Sequence, residues 1–291
     1  MLKKLVSLGT TLGLAAILVS GTASAGFAQE KKPVKIGWSA WSDAEFVTKL
    51  AAKLIKDELG QEVELVQTDV APLYQGVSRG DLDFMMMAWL PQTHADYYSR
   101  VEDKVETLGT VYDGAKLGWV VPAYIPESEI ASIEDLKKPD VMEKLKSTVQ
   151  GIDPGAGLTR LSQEALKTYE LDYKLQISSE AGMLTTVERA YRSEDWFVAT
   201  SWSPHWMFGK YKLRYIDDPK KALGEAEHVD ILARKGFKQE NPDVAAFMSR
   251  MKLPLADLEA AMFTAQETSY EDAVAKYISD HPDQIKTWAG K

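Results

Sequence analysis

One stretch, Ala88-Trp89-Leu90-Pro91-Gln92-Thr93-His94, constrains the fold more than any other part of the chain. The apolar run before it, Phe84-Met85-Met86-Met87, reads as a buried strand that delivers Trp89 to its carboxyl end. Proline suits the first position of a helix, where a missing N–H costs nothing, so Pro91 and His94 predict a helix start there. The pattern recurs twice. Phe197-Val198-Ala199-Thr200-Ser201-Trp202 runs into Ser203-Pro204-His205-Trp206, and Val34-Lys35-Ile36-Gly37-Trp38-Ser39-Ala40-Trp41 runs into Ser42-Asp43-Ala44-Glu45. Open α/β sheets gather ligands at the carboxyl edge of their strands. Three tryptophans are therefore expected at one crevice.

The flanking chain fits an α/β frame. A strand at 34–38 precedes a helical stripe of Phe46, Val47, Leu50, Ala51, Leu54 and Ile55. Ser42 and Glu45 match a capping box at its start, and Gly60 ends it. With strands at 63–66 and 81–89 and a short helix between them, the order is β-α-β-α-β, which implies parallel pairing. A polar helix over 92–105 and a strand over 116–124 follow. A second series repeats the logic: a strand, the turn Asp153-Pro154-Gly155-Ala156-Gly157, a helix, and further strands. The run 229–233 reads as a return strand, and everything after Asn241 as helical cover. The expected organisation is residues 31–121 as a first lobe, 122–223 as a second, and 224–291 returning to the first. Each lobe is a mainly parallel sheet flanked by helices, joined by a hinge with two crossovers.

Composition narrows the function. The formal charge is −9, and −11 without Lys3 and Lys4. An acidic surface argues against nucleic-acid partners, which need cationic patches. Cysteine is absent, which excludes disulfides, thiolate catalysis, cysteine metal sites and a lipid-modified cysteine. Residues 1–25 read as a secretory signal: Lys3 and Lys4, then an apolar run, then Ala23-Ser24-Ala25. The apolar run is shorter than the ~20 residues of a membrane span. The mature chain is expected to be periplasmic and monomeric.

A lone tryptophan is ordinarily a packing residue, and Trp38, Trp119, Trp196 and Trp288 need no other role. Position sets Trp41, Trp89 and Trp202 apart. Indole faces attract a cation through their quadrupole, and a trimethylammonium group, which has no N–H to donate, suits such a cage. Gly155-Ala156-Gly157-Leu158 is neither a dinucleotide fingerprint nor a P-loop. It opens a helix, whose free N–H groups at Gly157 and Leu158 form an anion site. His94 is placed to donate to the same anion. No second histidine stands at ligand spacing, so no metal and no cofactor are expected. Gly76-Val77-Ser78-Arg79-Gly80 matches the nucleophile-elbow pattern that an exported serine hydrolase would carry on Ser78. That elbow needs strand, turn, then helix, whereas this stretch sits between a helix and a strand.

In Ala88–His94, in Gly151-Ile152-Asp153-Pro154-Gly155-Ala156-Gly157 and in Trp202-Ser203-Pro204-His205-Trp206-Met207-Phe208, the chain resembles the glycine betaine/proline betaine-binding proteins of osmoprotectant ABC importers. The resemblance covers essentially the whole mature chain. It implies a type II periplasmic-binding-protein fold and a tryptophan prism at Trp41, Trp89 and Trp202. It also implies a ligand carboxylate held by His94 and by the N–H groups of Gly157 and Leu158. The implied partners are a betaine and a permease–ATPase complex in the inner membrane. Choline or carnitine is the alternative cargo. Two positions depart from the family pattern: Ser201, where glycine usually precedes the tryptophan, and the Ser42-Asp43 order after Trp41.

Overall fold

A computed structural model describes residues 32–291. The expected signal at 1–25 lies outside the described residues. The first series is β1 (Val34–Trp38), α1 (Ser42–Leu59), β2 (Val63–Gln67), α2 (Val70–Arg79), β3 (Phe84–Leu90), α3 (Ala95–Tyr98) and the 18-residue β4 (Val105–Pro122). The second is α4 (Pro139–Lys144), β5 (Thr148–Gln150), α5 (Gly157–Thr168), β6 (Lys174–Gln176), α6 (Glu180–Arg192), β7 (Val198–Ser203), α7 (Met207–Lys210) and β8 (Leu213–Tyr215). The chain then returns through β9 (Glu227–Arg234) to α8 (Phe237–Glu240), α9 (Pro242–Arg250), α10 (Leu255–Glu267), α11 (Tyr270–Asp280) and α12 (Pro282–Ala289).

Strand order is β2-β1-β3-β9-β4-β7-β5-β6, with β8 beside β4. Pairing is parallel at β2-β1-β3 and at β7-β5-β6, and antiparallel where β9 and β4 join these groups. The long β4 belongs to both groups. Its residues to Ala115 pair with β9, and from Lys116 onward they pair with β7 and then β8. One strand thus carries the first crossing, and the chain between β8 and β9 carries the return. Since β1 and β3 run the same way, as do β5 and β7, each group presents its carboxyl edge as a unit. Two such edges facing each other make a cleft.

The core follows the expected stripes. Phe46, Val47, Leu50, Ala51, Leu54 and Ile55 of α1 are buried, as is all of β3 including Met85, Met86 and Met87. Trp119 and Trp288 are core residues, and Trp119 donates to Ser162 Oγ at 3.0 Å. Trp196 packs under the Lys144 ammonium, 4.2 Å from its ring centre.

Three local expectations are corrected. The helix over 92–105 shrinks to the single turn α3. Its leading amides are taken from outside, because Glu227 accepts from the N–H of Gln92 and Thr93 at 2.6 and 2.9 Å. Pro91 therefore occupies the turn after β3, not a first helical position, and His94 is the residue before α3. The Ser42–Glu45 capping box does not form, since Trp41 is the N-cap of α1. Ser42 instead gives its N–H (3.0 Å) and its hydroxyl to Glu180, at the start of α6, and Glu45 pairs with Lys49 at 2.8 Å. Trp41 accordingly lies beyond β1, between strand and helix.

Candidate ligand site

The candidate residues reach the cavity from the ends of four strands, β1, β3, β5 and β7. Trp89 is the penultimate residue of β3, Trp202 the penultimate residue of β7, and Trp41 opens α1. His94 follows the turn after β3, and Gly157 and Leu158 are the first two residues of α5. All six line one small cavity with Asp43, Thr93, Leu117, Ile152 and Ala156. Its empty space is about 300 Å³, at the small end of the roughly 300–1,000 Å³ usual for ligand sites. A compact solute fits it and an extended one does not.

The aromatic end is held by hydrogen bonds and ring contacts. Trp41 donates its indole N–H to Asp153 Oδ2 at 2.9 Å, and Trp202 donates to Asp43 Oδ1 at 3.1 Å. Trp89 meets Tyr112 edge-on, ring centres 6.3 Å apart. Among the described residues, lysine and arginine ammonium or guanidinium groups sit over other rings, such as Lys210 over Trp206, and none over Trp41, Trp89 or Trp202.

The opposite end offers donors. A helix leaves its first four N–H groups without intrahelical acceptors. In α5 the N–H groups of Thr159 and Arg160 turn back to Ala156 O, which leaves those of Gly157 and Leu158. Gly157 cannot be another residue, because a Cβ there would stand 2.3 Å from Thr93 O. His94 is fully buried, and its Nδ1 accepts from the Trp89 N–H at 3.3 Å. That contact assigns the proton of the neutral ring to Nε2. Burial, with the Arg160 charge as a second cause, pulls the His94 pKa down to about 3. The ring is therefore a neutral donor throughout the physiological range.

A stability prediction follows from that depression. Below the ordinary value of 6.5 the unfolded chain takes up a proton that the folded chain refuses. Stability is thus fully present above 6.5 and falls as the pH drops toward 3, at roughly 1.4 kcal/mol per unit from this group. Thermal melts between pH 7 and pH 4 should show a smaller drop for His94→Gln than for the parent. Parallel drops would refute the assignment.

The roles of Asp43 and Asp153 as indole N–H acceptors are not legible in the sequence. Asp43 is buried, accepts from Tyr112 as well as from Trp202, and burial raises its pKa above the ordinary carboxylate value. In the sequence it stands in the first turn of α1, which reads as helix-dipole stabilisation, and in the Ser42-Asp43 order that departs from the family pattern. His205 and Trp206 take structural places behind the cavity. His205 Nδ1 accepts from Met207 N–H, its Nε2 lies 3.2 Å from Glu180, and Trp206 donates to Ser42 Oγ at 3.0 Å. Ser78 lies within α2, where its hydroxyl bonds to Gln75 O at 2.9 Å, far from any elbow geometry.

Residues 32–280 match the family described as the substrate-binding domain of the ABC-type glycine betaine transport system. The chain is 36% identical over 158 residues to a glycine betaine/carnitine transport binding protein of Listeria monocytogenes, a match that spans 53% of this chain and about half, 52%, of that relative. It is 25% identical to the glycine betaine/proline betaine-binding periplasmic protein of Salmonella typhimurium, over 86% of this chain and 87% of the relative. Among solved structures it is similar to a lactococcal protein in a closed, liganded conformation with glycine betaine. There the TM-score is 0.81 and the identity 34%, over 89% of this chain and 99% of the other. A choline binding protein in complex with choline superposes with a TM-score of 0.80 at 27% identity, over 89% and 91% of the two chains.

Proposed function

The chain belongs to the family of substrate-binding domains of ABC-type glycine betaine transport systems, and on that premise we propose that its cavity holds glycine betaine between three indoles and a set of N–H donors. The fold is that of the two-lobed type II periplasmic binding proteins. The protein is a binding component and not an enzyme. It works outside the cytoplasmic membrane and passes its cargo to a permease–ATPase complex.

One observation carries the choice of ligand. Three indole faces with no cation of the protein over them share a cavity with two free helix N–H groups and a neutral histidine donor. A cation with no N–H wants the first, at about 2 kcal/mol per desolvated ring. A carboxylate wants the second, with charge-assisted bonds of roughly 1.5–3 kcal/mol each. A zwitterion with a quaternary ammonium at one end and a carboxylate at the other uses both. After ordering costs, affinity near micromolar, about −8 kcal/mol, is consistent with these contributions. Isothermal titration with glycine betaine tests the proposal, and no heat or thermal shift at millimolar ligand would reject it.

Closure is a second expectation. Contacts across the cleft join residues far apart in sequence: Tyr97 to Gly155 O at 2.8 Å, Arg160 to Gln92 O at 3.2 Å, and Ser42 to Glu180. A ligand that touches both edges favours this state over an open one. Small-angle scattering should give a smaller radius of gyration with saturating betaine than without it. Identical radii in a sample shown to bind would contradict ligand-driven closure.

A further inference from the structure

Two of the three cage indoles are held by carboxylates from the far side of the cleft. Trp41, beside β1, donates to Asp153, in the loop after β5 and 112 residues away. Trp202, on β7, donates to Asp43, in the first turn of α1 and 159 residues away. The exchange is reciprocal: each strand group supplies one ring and the acceptor for the other's ring. Asp43 stands two residues from Trp41, so both latches converge on the start of α1. Trp89 differs. It meets Tyr112 of β4, which lies beyond β9 in the strand order, and among the described residues it has no carboxylate partner across the cleft.

We propose that Asp153 and Asp43 are positioning residues that set the tilt of Trp41 and Trp202 from across the shut cleft, so that closure completes the cation cage. The proposal rests on the betaine reading of the cavity. Its physical basis is geometric. Trp41 sits between a strand and a helix with extended backbone, and its side chain makes no other hydrogen bond among the described residues. Without Asp153 the ring keeps its place in the chain and loses the contact that sets its tilt. A carboxylate accepting an indole N–H also pushes electron density toward the ring face, which deepens the attraction for a cation. Opening the cleft separates both pairs at once. The closed state therefore holds Trp41 and Trp202 by cross-cleft bonds that an open state lacks.

This predicts where the effect appears in time. The first encounter of ligand with Trp89 precedes the latch, and release follows its breaking. Loss of a latch should therefore speed dissociation and leave association unchanged.

The test is a double-mutant cycle on the mature protein with glycine betaine, read by titration and by stopped-flow tryptophan fluorescence. Asp153→Ala in the parent should weaken binding about tenfold, the loss expected for a charged hydrogen bond, with the change in the dissociation rate. In a Trp41→Phe background, which has no indole N–H, Asp153→Ala should cost little more. Asp153→Asn keeps an acceptor oxygen and should recover part of the loss. The melting temperature of the ligand-free protein should not move, which separates positioning from folding. Equal losses in both backgrounds, a change confined to association, or no loss in the parent would overturn the proposal. Trp41→Ala distinguishes the two levels. If it too leaves affinity unchanged, the cage reading itself fails. If it weakens binding while Asp153→Ala does not, only the latch is wrong.

Discussion

Trp202→Ala should weaken glycine betaine binding about thirtyfold or more, the equivalent of ~2 kcal/mol from one desolvated indole. Two losses combine in this variant. The cavity loses one of three ring faces, and Asp43 loses the N–H that Trp202 donates to it at 3.1 Å. A buried acceptor deprived of a partner costs free energy beyond the missing contact. Trp89→Ala removes a ring with no carboxylate partner, so its effect should be large but somewhat smaller. Phenylalanine at either place keeps a weaker π face and should recover part of the loss. Trp206→Ala is the control, since that ring is outside the cavity and bonds to Ser42. Isothermal titration on variants with parental circular dichroism is the measurement. Unchanged affinity in a folded Trp202→Ala protein would rule out the cage.

How much of this could be read from the residues depends on the range of the interaction. Features written in consecutive residues were legible. The all-apolar β3 and the helical stripe of α1 show directly. The parallel pairing of β1, β2 and β3 follows from their alternation with helices. Features that depend on a distant partner were not legible. A Ser-x-x-Glu spacing at Ser42 signals a local capping box, yet Glu180, 138 residues on, takes the hydroxyl and N–H. A tertiary acceptor displaced a local one there. Likewise, nothing near residues 92–105 marks Glu227 as the acceptor of the turn's amides. Pro91 looked like a helix opener because that is its commonest local meaning, and only the turn's outside partners reveal otherwise. The tryptophans at 41, 89 and 202 were singled out by position at strand ends. Asp43 and Asp153 carry no such mark, because an aspartate near a helix start or turn is ordinary.

The second large effect concerns selectivity. Glycine betaine should bind at least tenfold more tightly than choline. Both carry a trimethylammonium head, so Trp41, Trp89 and Trp202 meet the same group in either ligand, and Asp43, bonded to Trp202 at that end, does not separate them. Discrimination falls to the other end of the cavity. There the N–H groups of Gly157 and Leu158 lack acceptors among the described residues, and Nδ1 of His94 takes the Trp89 N–H, which leaves Nε2–H as a donor. A carboxylate has two oxygens and a full charge for these donors. Choline's single hydroxyl carries no charge and satisfies fewer of them. Each buried donor left unpaired costs roughly 1–3 kcal/mol, so two give a preference of tenfold or more. His94→Ala removes one donor and should narrow the gap, mainly by weakening betaine. Because burial holds the His94 pKa near 3, the preference should stay flat from pH 5 to pH 8. A protonated histidine would instead favour the carboxylate more strongly as the pH fell. Competition titration of choline against glycine betaine at three pH values measures both claims. Equal or tighter choline binding would mean that these donors do not face a carboxylate, and the cavity would then be that of a choline carrier.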